Sequence, residues 1–464
     1  MKHVDINPKD LGPEEKIIQP LLKTTPGFYY TVGVLLVFVA WGIFAYTVQL
    51  RQGLGVTGLN QPVYWGFYIV DFVFFIGISH AGTLISAILR VTQAEWRRPI
   101  TRSAEAITVL VLLIGGVQPV IDLGRPDRLL NVLRTPNLRS PLLWDIISIT
   151  AYLTCSCIYL LFPLIPDLAI LRERMPSRRW FYTFLSFGWK GTEKQWRRLN
   201  TAISVMMVII IPVAVSVHTV VSWVFAMTVQ PFWHSSIFGP FFVAGAIFSG
   251  IAALIIAMSI LRKVYHLEDY LKPVHFSSLG VLLMVMSIIW AYFVIAEHLT
   301  AFYGAEPAEM AIFWDKLIGR YAPVFWTMVA CNFVIPMAVL TRRQTRTIPG
   351  TVFASVFIVI GMWLERYQIV VPTLVNPRLP YPRGLYFPSW VEVSVLVGSF
   401  AIFILFYVLF AKLFPIISIW EVKEGKELAV EETVERLKLY QPGGENGEAA
   451  TKVRRQALAP WKRR

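Results

Sequence analysis

Apolar residues fall in long unbroken runs along this chain, not at the three-to-four spacing of amphipathic helices. A bilayer core takes about 20 apolar residues of helix. On that rule ten spans are expected, at 28–50, 63–91, 104–123, 142–166, 201–228, 238–262, 276–303, 322–341, 351–371 and 389–414. The fold class is therefore an all-α polytopic membrane protein. The second run stands apart, because it carries Asp71 and His80 inside an otherwise apolar stretch. Ionisable groups in hydrocarbon are costly and mark function.

Short matches recur at nearly one spacing. Pro141-Leu142-Leu143-Trp144 and Pro323-Val324-Phe325-Trp326 lie 182 positions apart, and Ala87-Ile88-Leu89-Arg90 and Ser259-Ile260-Leu261-Arg262 lie 172 apart. The acids Asp122 and Glu297, each near the end of a span, lie 175 apart. This predicts two related four-helix bundles, spans 2–5 in residues 62–228 and spans 6–9 in residues 229–371. Residues 28–61 and 372–414 each hold a flanking span. An N-terminal segment (1–27) and a C-terminal tail (415–464) complete the chain.

Composition agrees. Of 464 residues 56% are hydrophobic and 16% charged, with a mean hydropathy of +0.57. The net charge of +14 does not point to nucleic acid, because Lys and Arg sit in the loops, where they set topology. The loops on the side of the termini hold 18 of them and the opposite loops 9. Both termini are expected to be cytoplasmic. The exception is the 124–141 loop, with four arginines on the expected outer side. Cys155, Cys157 and Cys331 lie in apolar runs and read as packing residues, with no disulfide framework. The N-terminus lacks the apolar core of a signal peptide. The tail from Glu421 reads as soluble, and its basic end as an arm for a partner or lipid headgroups. There is no Walker or CxxC motif on which to base a nucleotide, iron–sulfur or zinc site.

The polar residues within spans are the candidate chemistry. Asp71 and His80 are nine residues apart, so on a helix they face opposite sides, about 13 Å apart along the axis. His80 shares its face with Gly77, Thr83, Leu84 and Ala87, small enough to let a ring approach, and is expected to be reached from a pocket shared with span 3. Span 3 ends Gly115-Gly116-Val117-Gln118-Pro119-Val120-Ile121-Asp122. Pro119 kinks it, Gly124 and Pro126 stop it, and Asp122 is either paired with Arg125 or Arg128 or a proton acceptor at a cavity mouth. Asp145 opens span 4 on the same side, so Asp71, Asp122 and Asp145 form an acidic outer half. His218, Glu297, His298 and Glu365 are further proton-transfer candidates, with Glu365-Arg366 also readable as an internal ion pair. His80 and His218 are the mid-span histidines, and no repeated histidine pair of a dihaem cytochrome b is present.

The run Asp122-Leu123-Gly124-Arg125-Pro126, followed by Ser140-Pro141-Leu142-Leu143-Trp144-Asp145, resembles the NrfD/PsrC family of quinone-interacting membrane subunits. The stretches from His218 to Trp223 and from Trp233 to Ala246 resemble the ActC-type subunit of bacterial alternative complex III. The resemblance covers roughly residues 60–415. It implies a subunit that binds and oxidises menaquinol or another quinol near the periplasmic face of the bacterial cytoplasmic membrane, with no haem or iron–sulfur cluster of its own. Electrons would pass to an iron–sulfur subunit and on to c-type haem subunits. Other membrane subunits, including a paralogous NrfD-like chain, would be partners, and proton translocation is permitted. The resemblance gives His80 and Asp122 catalytic roles, with Arg125 a further quinol contact beside the small Gly77 and Thr83 of the His80 face, and makes the arginine-rich loop part of the docking surface. Two alternatives share the pattern: a proton-coupled secondary transporter, and an ActF-type paralogue without a quinol site.

Overall fold

A computed structural model describes residues 13–440 except Gln93. The N-terminal dozen residues and the basic end from Gln441 lie outside the described residues. Those described fold as helices, with no strand among them. In chain order they are α1 (Pro13–Leu22), α2 (Pro26–Gln52), α3 (Phe67–Val91), α4 (Thr101–Asp122), α5 (Asn131–Arg134), α6 (Pro141–Arg174), α7 (Arg179–Leu185) and α8 (Glu193–Ala226). There follow α9 (Phe238–Val264), α10 (Pro273–Gly304), α11 (Pro307–Leu317), α12 (Ala322–Val329), α13 (Ile335–Leu340), α14 (Ile348–Val375), α15 (Trp390–Leu413) and α16 (Ile419–Tyr440).

Among the described residues ten helices are long and apolar enough to cross a membrane, α12 and α13 counting as one through the π-turn Ala330–Val334. The ten match the expected spans in place. The fourth and fifth run further than hydropathy suggests: α6 and α8 have 34 residues each, about 51 Å of helix against a core of about 30 Å. Their extra turns are polar. A capping box, with Thr192 accepting from Gln195 N–H, starts α8 well outside the apolar run.

Packing is organised around α3. Its apolar stretch is 87% buried, whereas that of α2 is 11% buried. Helix α3 carries Asp71, Ser79, His80 and Ser86, all buried, which hydrocarbon cannot satisfy, and it is covered here by α4, α8, α9 and α14. Gly82 is what lets α4 come in close, because a Cβ there would collide with Ala104 and Thr108. Helices α3, α4, α6 and α8 touch in turn, as do α9, α10, α12–α13 and α14, and α3 meets α9 and α14. The flanking spans pair with each other, α2 against α15, where Trp41 Nε1 donates to Ser394 Oγ at 2.9 Å.

The face that carries α1 and α16 is strongly basic, and there the tail departs from expectation. Glu421 is buried, not solvated. Its carboxylate takes Arg90 at 2.9 Å and Arg97 at 3.1 Å, and Arg98 donates to its backbone carbonyl at 2.9 Å. Arg98 also holds Glu424 at 2.8 Å. One turn earlier, Asp167 of α6 pairs with Arg102 of α4, both fully buried. Asp167 also accepts from Ile419 and Trp420 N–H at 3.0 and 3.1 Å, so it caps α16. The arginines that read as topological signals thus fold back onto the tail's own acids. Cys157 is likewise exposed on α6 instead of packed, while Cys331 is buried.

Burial raises the Glu421 carboxyl, but Arg90, Arg97 and Arg102 outweigh it and hold the group below its ordinary 4.5. A depressed carboxylate lends stability above its unfolded pKa and loses it as pH falls through the folded value. Glu421→Gln should therefore destabilise the protein at neutral pH by roughly 3 kcal/mol, the cost of leaving buried partners unpaired. The gap from wild type should stay flat from about pH 8 to about pH 5 and close below about pH 4. Thermal unfolding in detergent across that range measures it, and a gap that widened on acidification would contradict the pairing.

Candidate functional site

The polar residues of the spans collect at two depths. The deeper group surrounds His80, which is fully buried. Its Nε2 lies 2.7 Å from the carbonyl of Ala214 on α8. A carbonyl only accepts, so Nε2 carries the proton and Nδ1 is an acceptor when the ring is neutral. The backbone beside it is fixed from two sides: Thr108 Oγ1 and Tyr152 OH both donate to Ser79 O, at 2.6 and 3.1 Å. His218 stands against His80 with ring centroids 3.7 Å apart. His80 was expected to open toward the kinked third span. It faces α8 instead, because Gly82 closes α3 onto α4.

Arg366 and Glu365 of α14 continue this group. They are 3.5 Å apart and buried. Trp290 Nε1 donates to Glu365 Oε1 at 3.0 Å, and the guanidinium lies 5.0 Å from the Phe242 ring centre. Gly245 makes room for Arg366, since a Cβ there would lie 2.7 Å from Nη2. Gly77 abuts Ser249 and Arg366, so it belongs to the α3–α9 contact. The side chain of Thr83 lies outside the described residues. Protein groups leave His80 Nδ1, both His218 nitrogens, both Arg366 Nη atoms and Glu365 Oε2 without hydrogen-bond partners. So many open valences in one buried strip suit groups that hand protons on.

The outer group surrounds Tyr68. From Tyr68 to His80 is twelve residues of α3, about 18 Å. Tyr68 OH donates to Gln49 Oε1 at 2.5 Å, and Gln49 Nε2 donates to Ile121 O at 2.9 Å. Asp122, Glu392 and Asp71 all lie near Tyr68. Asp122 is half-buried, and its Oδ1 is buried without a partner. The carboxylate that faces Asp122 is Glu392 of α15. Glu392 accepts from Gly58 N–H, Tyr386 OH and Ser389 N–H at 2.6, 2.6 and 2.8 Å. Asp71 is fully buried and accepts from Trp363 Nε1 at 2.8 Å. Asp145 is buried on α6 with its Oδ1 unpartnered.

His80 and Asp122 therefore sit at different depths, and one quinone ring cannot touch both. Arg125 belongs to neither group. It is 62% exposed and turned onto Asp127, with contacts of 3.0 Å from Nε and Nη2. A third cluster holds Glu297, buried near Lys316 of α11, whose ammonium lies 4.2 Å from the Phe232 ring centre. Burial pushes the Lys316 ammonium down to about 8, with Glu297 opposing. His298 binds its own helix through Nδ1 to Val294 O at 2.8 Å, among Phe232, Phe313 and Phe325. Sequence reasoning missed Glu392, Tyr68, Gln49 and Lys316. The signals were there in part: Gln49 interrupts an apolar run, and Ser389-x-x-Glu392 is a capping box.

Residues 55–377 match the family described as polysulphide reductase, NrfD. Among similar proteins, a selenate reductase subunit of Mesobacillus selenatarsenatis is 26% identical, over 84% of this chain and 94% of that one. The Hdr-like menaquinol oxidoreductase integral membrane subunit of Archaeoglobus fulgidus is 23% identical, over 88% of this chain and 96% of that one. The menaquinone reductase integral membrane subunit of Nitratidesulfovibrio vulgaris is 22% identical, over 82% and 90%.

The two outer carboxylates should respond oppositely to neutralisation. Glu392→Ala removes the acceptor of three hydrogen bonds and should cost roughly 3 kcal/mol of stability. Asp122→Asn removes a charge whose carboxylate neighbour repels it, and should leave stability unchanged or slightly raised. Unfolding midpoints of the two variants in detergent check this; equal losses would mean that Asp122 is structurally paired.

Proposed function

Because the chain belongs to the polysulphide reductase NrfD family, we propose that it is the quinol-oxidising membrane subunit of an oxidoreductase of the alternative complex III type. The menaquinol oxidoreductase and menaquinone reductase subunits among its relatives support menaquinol as the substrate. Oxidation of a quinol to the quinone releases two protons and two electrons. A ring hydroxyl hydrogen-bonds to the open Oδ1 of Asp122, which takes the first proton. Tyr68, its hydroxyl fixed on Gln49, and Glu392 shape the polar end of this site. The electrons pass to an iron–sulfur subunit seated on the 124–141 loop, and from there to c-type haem subunits. That loop exposes Leu130, Leu133 and Leu138 beside its arginines, which is the mixture a docking surface needs.

His80 has a separate role in this reading. With His218, Arg366 and Glu365 it forms a proton-holding strip about 18 Å below the ring, the means by which the subunit takes part in proton translocation. Asp71, Asp145, Glu297 and His298 stand along the outer half of that route. In this reading the basic face and both termini lie in the cytoplasm of a bacterial cell, an orientation that the lysine and arginine distribution supports. The family's paralogous membrane chain completes the assembly.

The observation that carries the reading is Asp122 itself: half-buried, facing another carboxylate, and with one oxygen free for a ligand. Asp122→Asn should lower quinol-dependent reduction of the partner haems by about 10²–10⁴-fold, with the complex still assembled. His80→Ala should lower it less and should change proton release more than electron transfer. Full electron transfer in Asp122→Asn, with His80→Ala inactive, would move the ring to the deeper group and overturn this assignment.

A further inference from the structure

The buried residues of α2 are Gly42, Ala45 and Gln49, and Gln49 is the polar one. A side-chain amide can present either end to a neighbour, and here the fold decides which. Ile121 O, near the end of α4, can only accept, so the end of Gln49 that lies 2.9 Å from it is Nε2. The other end, Oε1, can only accept in its turn. The contact of 2.5 Å with Tyr68 OH is therefore a bond that Tyr68 donates. A phenol has one proton. Tyr68 has spent its proton on Gln49, and its oxygen has only lone pairs left for a group that enters beside Asp122.

The phenol of Tyr386 is committed in the same way. It donates to Glu392 Oε1 at 2.6 Å and takes the Phe67 N–H at 2.9 Å. The N–H groups of Gly58 and Ser389 also end on Glu392, at 2.6 and 2.8 Å. Donors at this end are thus turned onto protein, while Asp122 Oδ1 stays unpartnered and Tyr68 keeps its lone pairs. Tyr46, three residues before Gln49 on α2, is the further phenol near Tyr68. Gln49 and Glu392, which draw the two phenol protons away, sit on the flanking helices α2 and α15, outside the matched residues 55–377.

We propose that Gln49 is a positioning residue that makes the outer site selective for the reduced, hydroxyl-bearing form of the ring. This rests on the reading of Asp122 as the ring contact. A quinol offers its O–H groups to the acceptors Tyr68 and Asp122. A quinone carbonyl needs a donor, and it finds the Tyr68 proton taken. A site built to receive an O–H discriminates against the analogue that lacks it. Gln49 does this without touching the ring, by fixing which way one phenol points its hydrogen.

The intact complex, turning over 2,3-dimethyl-1,4-naphthoquinol, tests this through one ratio: the product-inhibition constant of the quinone over the KM of the quinol. Gln49→Leu frees the Tyr68 proton and should lower the ratio about tenfold, since one hydrogen bond is lost to the quinol and gained by the quinone. Gln49→Glu disturbs the bond to Ile121 O but keeps an acceptor for Tyr68, and should hold the wild-type ratio. In a Tyr68→Phe background, Gln49→Leu should have no further effect. A residue that merely anchored α4 would make the Leu and Glu variants lose activity alike and leave the ratio alone. An unchanged ratio in Gln49→Leu, or an equal fall in Gln49→Glu or Tyr46→Phe, would overturn the proposal. Full turnover in Asp122→Asn would defeat the underlying reading and this inference together. An inactive Asp122→Asn with an unchanged ratio in Gln49→Leu would defeat this inference alone.

Discussion

The structure depends on the fact that α3 has no side left for lipid. A helix in hydrocarbon must satisfy each polar side chain through a neighbour, because no solvent competes for the role. Helices α4, α8, α9 and α14 close around α3, and its polar groups are answered from α4, α6, α8 and α14. Asp71 is met by Trp363 of α14, and Ser79 O by Thr108 of α4 and Tyr152 of α6. His80 is met by Ala214 of α8, and Ser86 by Glu105 of α4 at 2.6 Å. These contacts fix the rotation of α3, and so decide which residues can ever share a site. Closing α4 against Gly82 is what turns His80 toward α8.

The same rule explains why polar groups gather at two depths. A lone buried ion is far more costly than one beside a partner, so acids and bases collect wherever one is unavoidable. At the outer end Glu392 is unavoidable: three donors from the turns before α3 and α15 converge on it. Asp122 is then the second acid in a place already occupied. Its Oδ1 is buried with no partner among the described residues. At mid-depth the ion pair Glu365–Arg366 is buried, and His218 of α8 lies within electrostatic range of Arg366.

Much of this was legible in the sequence. Ten spans follow from bilayer thickness and run length, and α3 announced itself by carrying an acid and a histidine. Helical geometry alone separated Asp71 from His80. What stayed hidden depends on tertiary distance. Glu392 is 270 positions from Asp122, and at the head of a span it reads as a routine capping residue. Glu421 lies among charges that read as solvated, and only the fold reveals the arginines waiting for it. Arg125 was carried into the site by the motif around it, yet Asp127, two residues on, captures its side chain. Charge patterns tell which residues are ionisable; they do not tell which of several partners wins.

The two predicted bundles are less separate in function than in sequence. The first, residues 62–228, was expected to hold the quinol residues His80 and Asp122 and the second only proton-transfer candidates. Yet Glu392 comes from the last span, Trp363 and Arg366 from α14, and Gly245 makes the space that Arg366 occupies. Even the π-turn in the second bundle points inward: Ser287 donates to the freed Asn332 carbonyl at 2.6 Å, and the Asn332 amide is buried with no partner. A π-turn costs regular hydrogen bonding and is found mostly where function needs it. A change in the second bundle would therefore reach α3 through side chains it shares directly, with no need for long-range strain. The buried polar residues of α3 thus find partners in both halves of the chain, Ala214 of α8 in one and Trp363 of α14 in the other.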